Sequence, residues 1–274
     1  DIGEHSFRAV ELDKTSNGIV IKNFGHFENP QLDRSKIAIN KDIHINALKN
    51  FFSEFNFSTS NVVLGINDSN VFMRVVNMPN MSDSDLEKTI TYEAEKYVPL
   101  PIDQVNITYQ KVQSVTNDPE KISVQIIAAK TSQLKEYVDI VKKANLVPIA
   151  IEPETIAISR ALLEKNDSTG SIIVDIGHST SVVIVNYNNT VHFTRTIPFG
   201  GDHITRALQE KLDIEYYQAE EYKKTYGIDK SHFDGKIHDI IKPVIDSILV
   251  EVKRALLFFS SQNSSISIKK AIIS

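Results

Sequence analysis

Asp1-Ile2-Gly3-Glu4-His5-Ser6 and Asp175-Ile176-Gly177-His178-Ser179-Thr180 follow one pattern. In each, Asp-Ile-Gly reads as the end of a strand, polar residues follow, and a β-rich return strand begins. Glycine permits dihedrals and close backbone approach that a Cβ forbids. A tight turn of this kind offers N–H groups to anionic oxygens, and Ser6, Ser179 and Thr180 add hydroxyls. An Asp beside a phosphate is repulsive unless Mg²⁺ lies between, usually through water. Asp1 and Asp175 are therefore candidate Mg²⁺ partners, and Asp1, Gly3, His5, Ser6, Asp175, Gly177, Ser179 and Thr180 are candidate phosphate-turn residues. One Asp-x-Gly is an ordinary turn. Two matched copies, each opening its own lobe and facing each other, would grip a phosphate tail from both sides.

Working outward, residues 6–13 and 19–27 read as a hairpin through Ser16-Asn17-Gly18. Ile45, Leu48, Phe51, Phe52 and Phe55 form a helical stripe. Residues 61–66 and 71–78 read as a second hairpin through Asn67-Asp68, and Ser82 or Asp83 caps the helix that Pro99 and Pro101 follow. Strands at 105–112 and 121–129 precede a helix capped by Thr131. A strand at 146–151 leads into a helix at 154–163. Strands at 171–176, 181–187 and 191–197 follow, with an Asn188-Asn189 turn, then helices at 202–212, 214–226 and from about Lys242 to Phe259. This order predicts two related α/β lobes. The first lobe takes residues 1–59 and 148–165, an inserted α/β subdomain takes 60–147, and the second lobe takes 166–274, with the boundary near Lys165–Gly170. The chain opens at Asp1 and stops at Ile272-Ile273-Ser274 as if cut from a longer one at both ends.

Composition narrows the chemistry. With 274 residues, 41% hydrophobic and 24% charged, the chain can bury a substantial core. A net charge of −5 without a Lys/Arg block argues against nucleic acid. The absence of Cys removes disulfides, thiolate metal sites and Cys nucleophiles. No apolar run reaches the roughly 18 residues a spanning helix needs. The eight His are scattered, and there is no His-Glu-x-x-His, no Gly-x-Ser-x-Gly and no Gly-x-x-x-x-Gly-Lys loop.

Two further groups fit a nucleotide. Gly200-Gly201 opens a helix, where free N–H donors would sit at the positive end of the dipole. Glu220 and Lys223 share one helical face, where they either bond a ribose and flank a base or form a solvated ion pair.

Together these stretches resemble the actin-like ATPase superfamily, of ribonuclease H-like fold. Asp1-Ile2-Gly3 with Arg8 is similar to its first phosphate motif, the turn at Asp175 to its second, and the segment from Gly200 to Thr205 to its glycine–helix element. Ala219-Glu220, Lys223 and Tyr226-Gly227 resemble the nucleoside-binding helix. Tyr92-Glu93-Ala94-Glu95-Lys96-Tyr97-Val98-Pro99-Leu100-Pro101, Val10-Glu11-Leu12 and Glu251-Val252-Lys253-Arg254 are similar to stretches of the PilM family of type IV pilus assembly proteins. The resemblance implies a cytoplasmic ATP-binding adaptor with ATP and Mg as cofactors. It implies a PilN-like N-terminal tail as partner, possible self-association, and association with the inner membrane through that partner. Glu4 stands where that family carries a small residue.

The same superfamily holds small-molecule kinases and FtsA-like membrane-tethered filament proteins, which are the alternative readings. Hydrolysis needs a base or a positioned water. No residue announces that role, although the resemblance brings Glu152 and Glu154 near the place where relatives orient water. The expectation is a nucleotide-regulated scaffold, at most a slow ATPase.

Overall fold

The computed structural model describes residues 1–3, 6–28, 41–68, 71–113, 118–164, 168–263 and 266–274. The chain divides into two compact units, Asp1–Ala161 and Leu162–Ser274.

In the first unit the elements run β1 (Ser6–Thr15), β2 (Gly18–Glu28), α1 (Lys41–Glu54), β3 (Asn61–Ile66), β4 (Val71–Pro79), α2 (Asp83–Glu95), β5 (Val105–Val112), β6 (Lys121–Lys130), α3 (Thr131–Lys143), β7 (Val147–Pro153) and α4 (Glu154–Leu162). β1 and β2 pair antiparallel, and Gly18 closes their turn at φ +126°, a backbone state that favours glycine. One face of this ribbon packs on α1. Gly25 lies so close to Phe51 and Phe55 that a Cβ there would meet their rings at 2.7–2.9 Å. The aromatic stripe of α1 buries with Phe7, Leu64, Ile140, Val141 and Leu146 in one core. A second core, drawn from residues 72–128, lies between α2 and the sheet β4-β6-β5. Residues of the stretch expected as an insert occur in both cores: Leu64 of β3, Ile140 and Val141 of α3, and Leu146 pack with α1.

The hairpin expected through Asn67-Asp68 does not form. β3 pairs in parallel with β7, and β4 pairs antiparallel with β6. The reason is Asp68. Its carboxylate is buried and accepts from the Thr155 N–H at 3.2 Å and the Thr155 hydroxyl at 2.7 Å, capping α4 from the segment just after β3. Ser82 does cap α2, accepting from the Asp85 N–H at 3.2 Å. Thr131, by contrast, is the first residue of α3 and Lys130 holds the cap position without a side-chain bond.

Glu11 ties the ribbon to the chain after α1. It is buried, and it accepts from the Ser58 N–H at 2.9 Å and from the Ser58 hydroxyl, with Lys22 Nζ at 3.1 Å. Chiefly through the Ser58 hydroxyl, its carboxyl is held down at about 2 from an ordinary 4.5. A folded-state value below the unfolded one gives stability that is complete above the unfolded value and is lost as pH falls through the folded one. Denaturant melts of the wild type should therefore lose stability between pH 4.5 and 2 more steeply than melts of Glu11→Gln. Equal slopes would show that Ser58 and Lys22 do not hold this carboxylate.

The second unit runs β8 (Gly170–Ile176), β9 (Ser181–Tyr187), β10 (Thr190–Ile197), α5 (Gly201–Leu212), α6 (Tyr216–Tyr226), α7 (Lys236–Gln262) and β11 (Ile268–Ile273). Its sheet order is β10-β9-β8-β11, antiparallel except for the parallel pair β8-β11. Asn188 and Asn189, at φ +50° and +56°, make the two-residue turn that joins β9 and β10. α7 starts at Lys236, ahead of the expected Lys242, and runs through Pro243. An interior Pro removes a helix bond and costs about 3 kcal/mol. Packing on both sides of it offsets that cost. Ile237 and Ile241 bury with α5 and α6, while Ile248, Val252 and Ala255 bury against the sheet.

Candidate functional site

The two Asp-Ile-Gly turns are built alike. In the first, Arg8 N–H donates to the Asp1 carbonyl at 3.0 Å and the Asp1 nitrogen donates to the Arg8 carbonyl at 2.8 Å, while Ile2 faces Phe7. In the second, Asp175 faces Val182 and Ile176 faces Ser181, the same offset. A Cβ on Gly3 would lie 2.8 Å from the Ser6 carbonyl oxygen, and one on Gly177 would lie 2.8 Å from the Thr180 carbonyl oxygen. Neither glycine has a positive φ, so each is needed for room and not for a left-handed backbone.

The first turn brings together Asp1, Gly3, Ser6 and Arg8. The Gly3 N–H donates to the Ser6 carbonyl at 3.0 Å, so it closes the turn. Ser6 is buried, and the exposed Arg8 guanidinium stands 3.9 Å from the Asp1 carboxylate. His5 and Glu4 lie outside the described residues.

The second turn supports α5 directly. The Gly201 N–H donates to the Gly177 carbonyl at 2.9 Å and the Asp202 N–H to the His178 carbonyl at 2.8 Å. The free donors expected at this helix start are thus already taken. The orphan N–H groups of a helix must find partners, and here the turn supplies them. Gly200 makes that contact possible, since a Cβ there would meet the His178 and Gly177 carbonyl oxygens at 2.5 and 2.6 Å. Asp175, Ser179 and Thr180 are half-buried around the turn.

Glu220 and Lys223 on α6 reach the same place. Lys223 Nζ donates to the Gly201 carbonyl at 3.2 Å, to Thr205 Oγ1 at 2.9 Å and to Glu220 Oε2 at 2.6 Å, and Thr205 Oγ1 donates to Glu220 Oε2 at 2.6 Å. Their side chains are only 21% and 26% exposed, so this is not a solvated surface pair. Burial pushes the Glu220 carboxyl up, yet the hydrogen bonds from Lys223 and Thr205 with the charges of Lys223 and Lys224 outweigh it and leave it below the ordinary carboxylate value. The structure therefore gathers Gly177, Gly200, Gly201, Glu220 and Lys223 in one corner of the second unit. In the first unit it gathers Asp1, Gly3, Ser6 and Arg8.

Sequence reasoning missed two carboxylates. Asp202 is buried between Arg206 and Tyr216, and Asp68 caps α4. An Asp in the first turn of a helix with Arg one turn on was the available signal for the former. Glu152 is engaged bidentately by Arg160, at 2.9 and 2.5 Å, which ties β7 to α4.

Among the described residues, no three His, Asp or Glu side chains converge as a metal cage. Mg²⁺ does not require one, because it keeps most of its waters and takes one or two carboxylates with phosphate oxygens. In each unit the glycine of the turn follows an Asp with one residue between, a carboxylate of the kind such an ion takes.

Comparison with known proteins gives the following. The Bacillus subtilis cell division protein FtsA is 22% identical over 265 residues, covering 88% of this chain and 60% of FtsA. This chain therefore spans well under two thirds of that relative's length. The solved PilM-PilN type IV pilus biogenesis complex matches over 99% of this chain and 79% of that one, with a TM-score of 0.80 and 22% identity. MreB5 of Spiroplasma citri bound to ADP matches over 97% and 85%, with a TM-score of 0.50 and 13% identity. The fold is that of the actin-like ATPases. The family model for type IV pilus assembly protein PilM matches residues 1–274, the whole sequence, and with the duplicated turn inside that fold the chain belongs to the PilM family.

Proposed function

We propose that this PilM-family chain binds ATP with Mg²⁺ through its two Asp-Ile-Gly turns. In the same reading it serves as a cytoplasmic adaptor of the type IV pilus machine, docking the N-terminal tail of a PilN-like inner-membrane protein. One observation carries the nucleotide part: two turns with the same strand offset and the same 2.8 Å glycine-to-carbonyl approach, each next to an Asp. Asp1, Gly3, Ser6 and Arg8 bind and orient phosphate oxygens from the first unit. Asp175, Gly177, Ser179 and Thr180 do so from the second, and Gly200, Gly201, Glu220 and Lys223 take the nucleoside side. Mg²⁺, when bound, supplies charge neutralisation between carboxylates and phosphates.

An adaptor is put ahead of a fast ATPase because no residue announces itself as the base; of the two carboxylates considered, Glu152 is paired with Arg160, and Glu154 is the other. The partner part is supported by the family and by the likeness to a PilM chain solved with PilN. Among the described residues, no helix is long and apolar enough to cross a membrane.

A fluorescent peptide with the sequence of a PilN-like cytoplasmic tail, titrated with and without Mg-ATP, tests the adaptor. Binding whose affinity changes with nucleotide is expected. No binding in either state removes the adaptor reading and leaves the nucleotide reading to be judged on its own.

A further inference from the structure

Asp202 lies where three pieces of the second unit meet. Its N–H donates to the His178 carbonyl of the second turn at 2.8 Å. Its Oδ1 accepts from the Tyr216 hydroxyl at 2.8 Å and its Oδ2 from Arg206 Nε at 2.7 Å, and His178 Nε2 stands 3.7 Å from Oδ1. The residue is 3% exposed. A buried carboxylate is costly unless it is fully paired, and here every partner comes from an element of the candidate site.

The placement of Tyr216 gives the contact its meaning. It is the first residue of α6, the helix that carries Glu220 and Lys223. Burial, then the hydrogen bond to Asp202, pushes its hydroxyl up to about 12, so it remains a donor at neutral pH. Further along α6, Lys223 reaches the Gly201 carbonyl at 3.2 Å. α6 is thereby fastened to the first turn of α5 at two points, and that turn is itself bonded to Gly177 and His178. The Glu220–Thr205 bond and Ala219, buried in the core shared with α5 and α7, also hold the middle of α6, and the Tyr216–Asp202 bond fixes its N-terminal end to α5.

We infer that Asp202 is a positioning residue of the nucleotide site, holding α6 to the second Asp-Ile-Gly turn so that Glu220 and Lys223 keep a fixed distance from Gly177 and Gly201. The inference rests on the nucleotide reading of that site. Tyr216→Phe tests it most cleanly, because it deletes one oxygen and leaves the Asp202–Arg206 pair in place. Two quantities are measured: amide hydrogen exchange at Gly201 and Asp202, and the Kd for a fluorescent ATP analogue with Mg²⁺. Exchange at those two amides should rise about tenfold and the Kd should rise about tenfold, the scale of one lost hydrogen bond. Exchange in β9 and α7 should stay as in the wild type, which a general loosening of the fold would not allow. Asp202→Ala should act in the same direction and more strongly. Unchanged exchange at Gly201 and Asp202 in Tyr216→Phe overturns the positioning role whether or not nucleotide binds. Faster exchange in a protein whose wild-type form takes up no analogue overturns the nucleotide reading instead, and with it the role assigned to Asp202.

Discussion

Asp175→Ala is expected to reduce Mg-ATP affinity at least a hundredfold, beyond calorimetric detection, while the protein stays folded. A hundredfold loss corresponds to about 2.7 kcal/mol. Asp175 stands at the end of β8, beside the glycine cradle of the second turn. On the proposed reading a carboxylate there meets phosphate through Mg²⁺ and its waters, and removing it leaves the ion short of a partner. The fold should survive because the strand pairs Ile176–Ser181 and Val174–Val183 are made by backbone. Unchanged affinity would mean that the site has been assigned to the wrong carboxylate.

Gly200→Ala should destabilise the second unit by about 2–3 kcal/mol, the upper range for forced overpacking, and should also weaken nucleotide binding. The added Cβ would lie 2.5 Å from the His178 oxygen and 2.6 Å from the Gly177 oxygen. Both are backbone atoms of the turn and cannot swing aside. Relief requires pushing α5 off the turn, breaking the bonds at 2.9 and 2.8 Å that its first N–H groups make there. Gly201→Ala is the control. Its Cβ would meet chiefly Lys223 Nζ at 3.3 Å, the end of a long side chain that can give by a few tenths of an ångström, where the atoms facing Gly200 are backbone. Urea melts should therefore separate the two substitutions clearly. Equal midpoints would show that the tight seating of α5 on the second turn is not what stabilises this corner.

What the sequence reveals and what it hides follow a physical divide. The Asn188-Asn189 turn, the phenylalanine stripe of α1 and the Ser82 cap are set by residues close in the chain, so local rules find them. The duplicated Asp-Ile-Gly turn is legible for the same reason. The partner of β3 is not. Two β-rich runs close in sequence read as a hairpin, but Asp68 between them is committed to Thr155, and β3 finds β7 instead. The early start of α7 is hidden by Pro243, whose local penalty is outweighed by packing in two separate cores. At the candidate site the residue types were readable, but their use was not. Gly200-Gly201 suggested free helix donors, while the structure spends those donors on the carbonyls of the second turn. Glu220 and Lys223 were readable only as a pair on one helical face. Their hold on Thr205 and Gly201 depends on how α6 lies against α5, as does the burial of Asp202.

The most direct test of nucleotide binding by the paired turns is an NMR titration of the isotope-labelled chain with Mg²⁺ and a non-hydrolysable ATP analogue. The largest amide shifts are expected at residues 3–6 and 177–180, with a second set at Gly201, Glu220 and Lys223. Shifts confined to other surfaces, or none at saturating analogue, would contradict it.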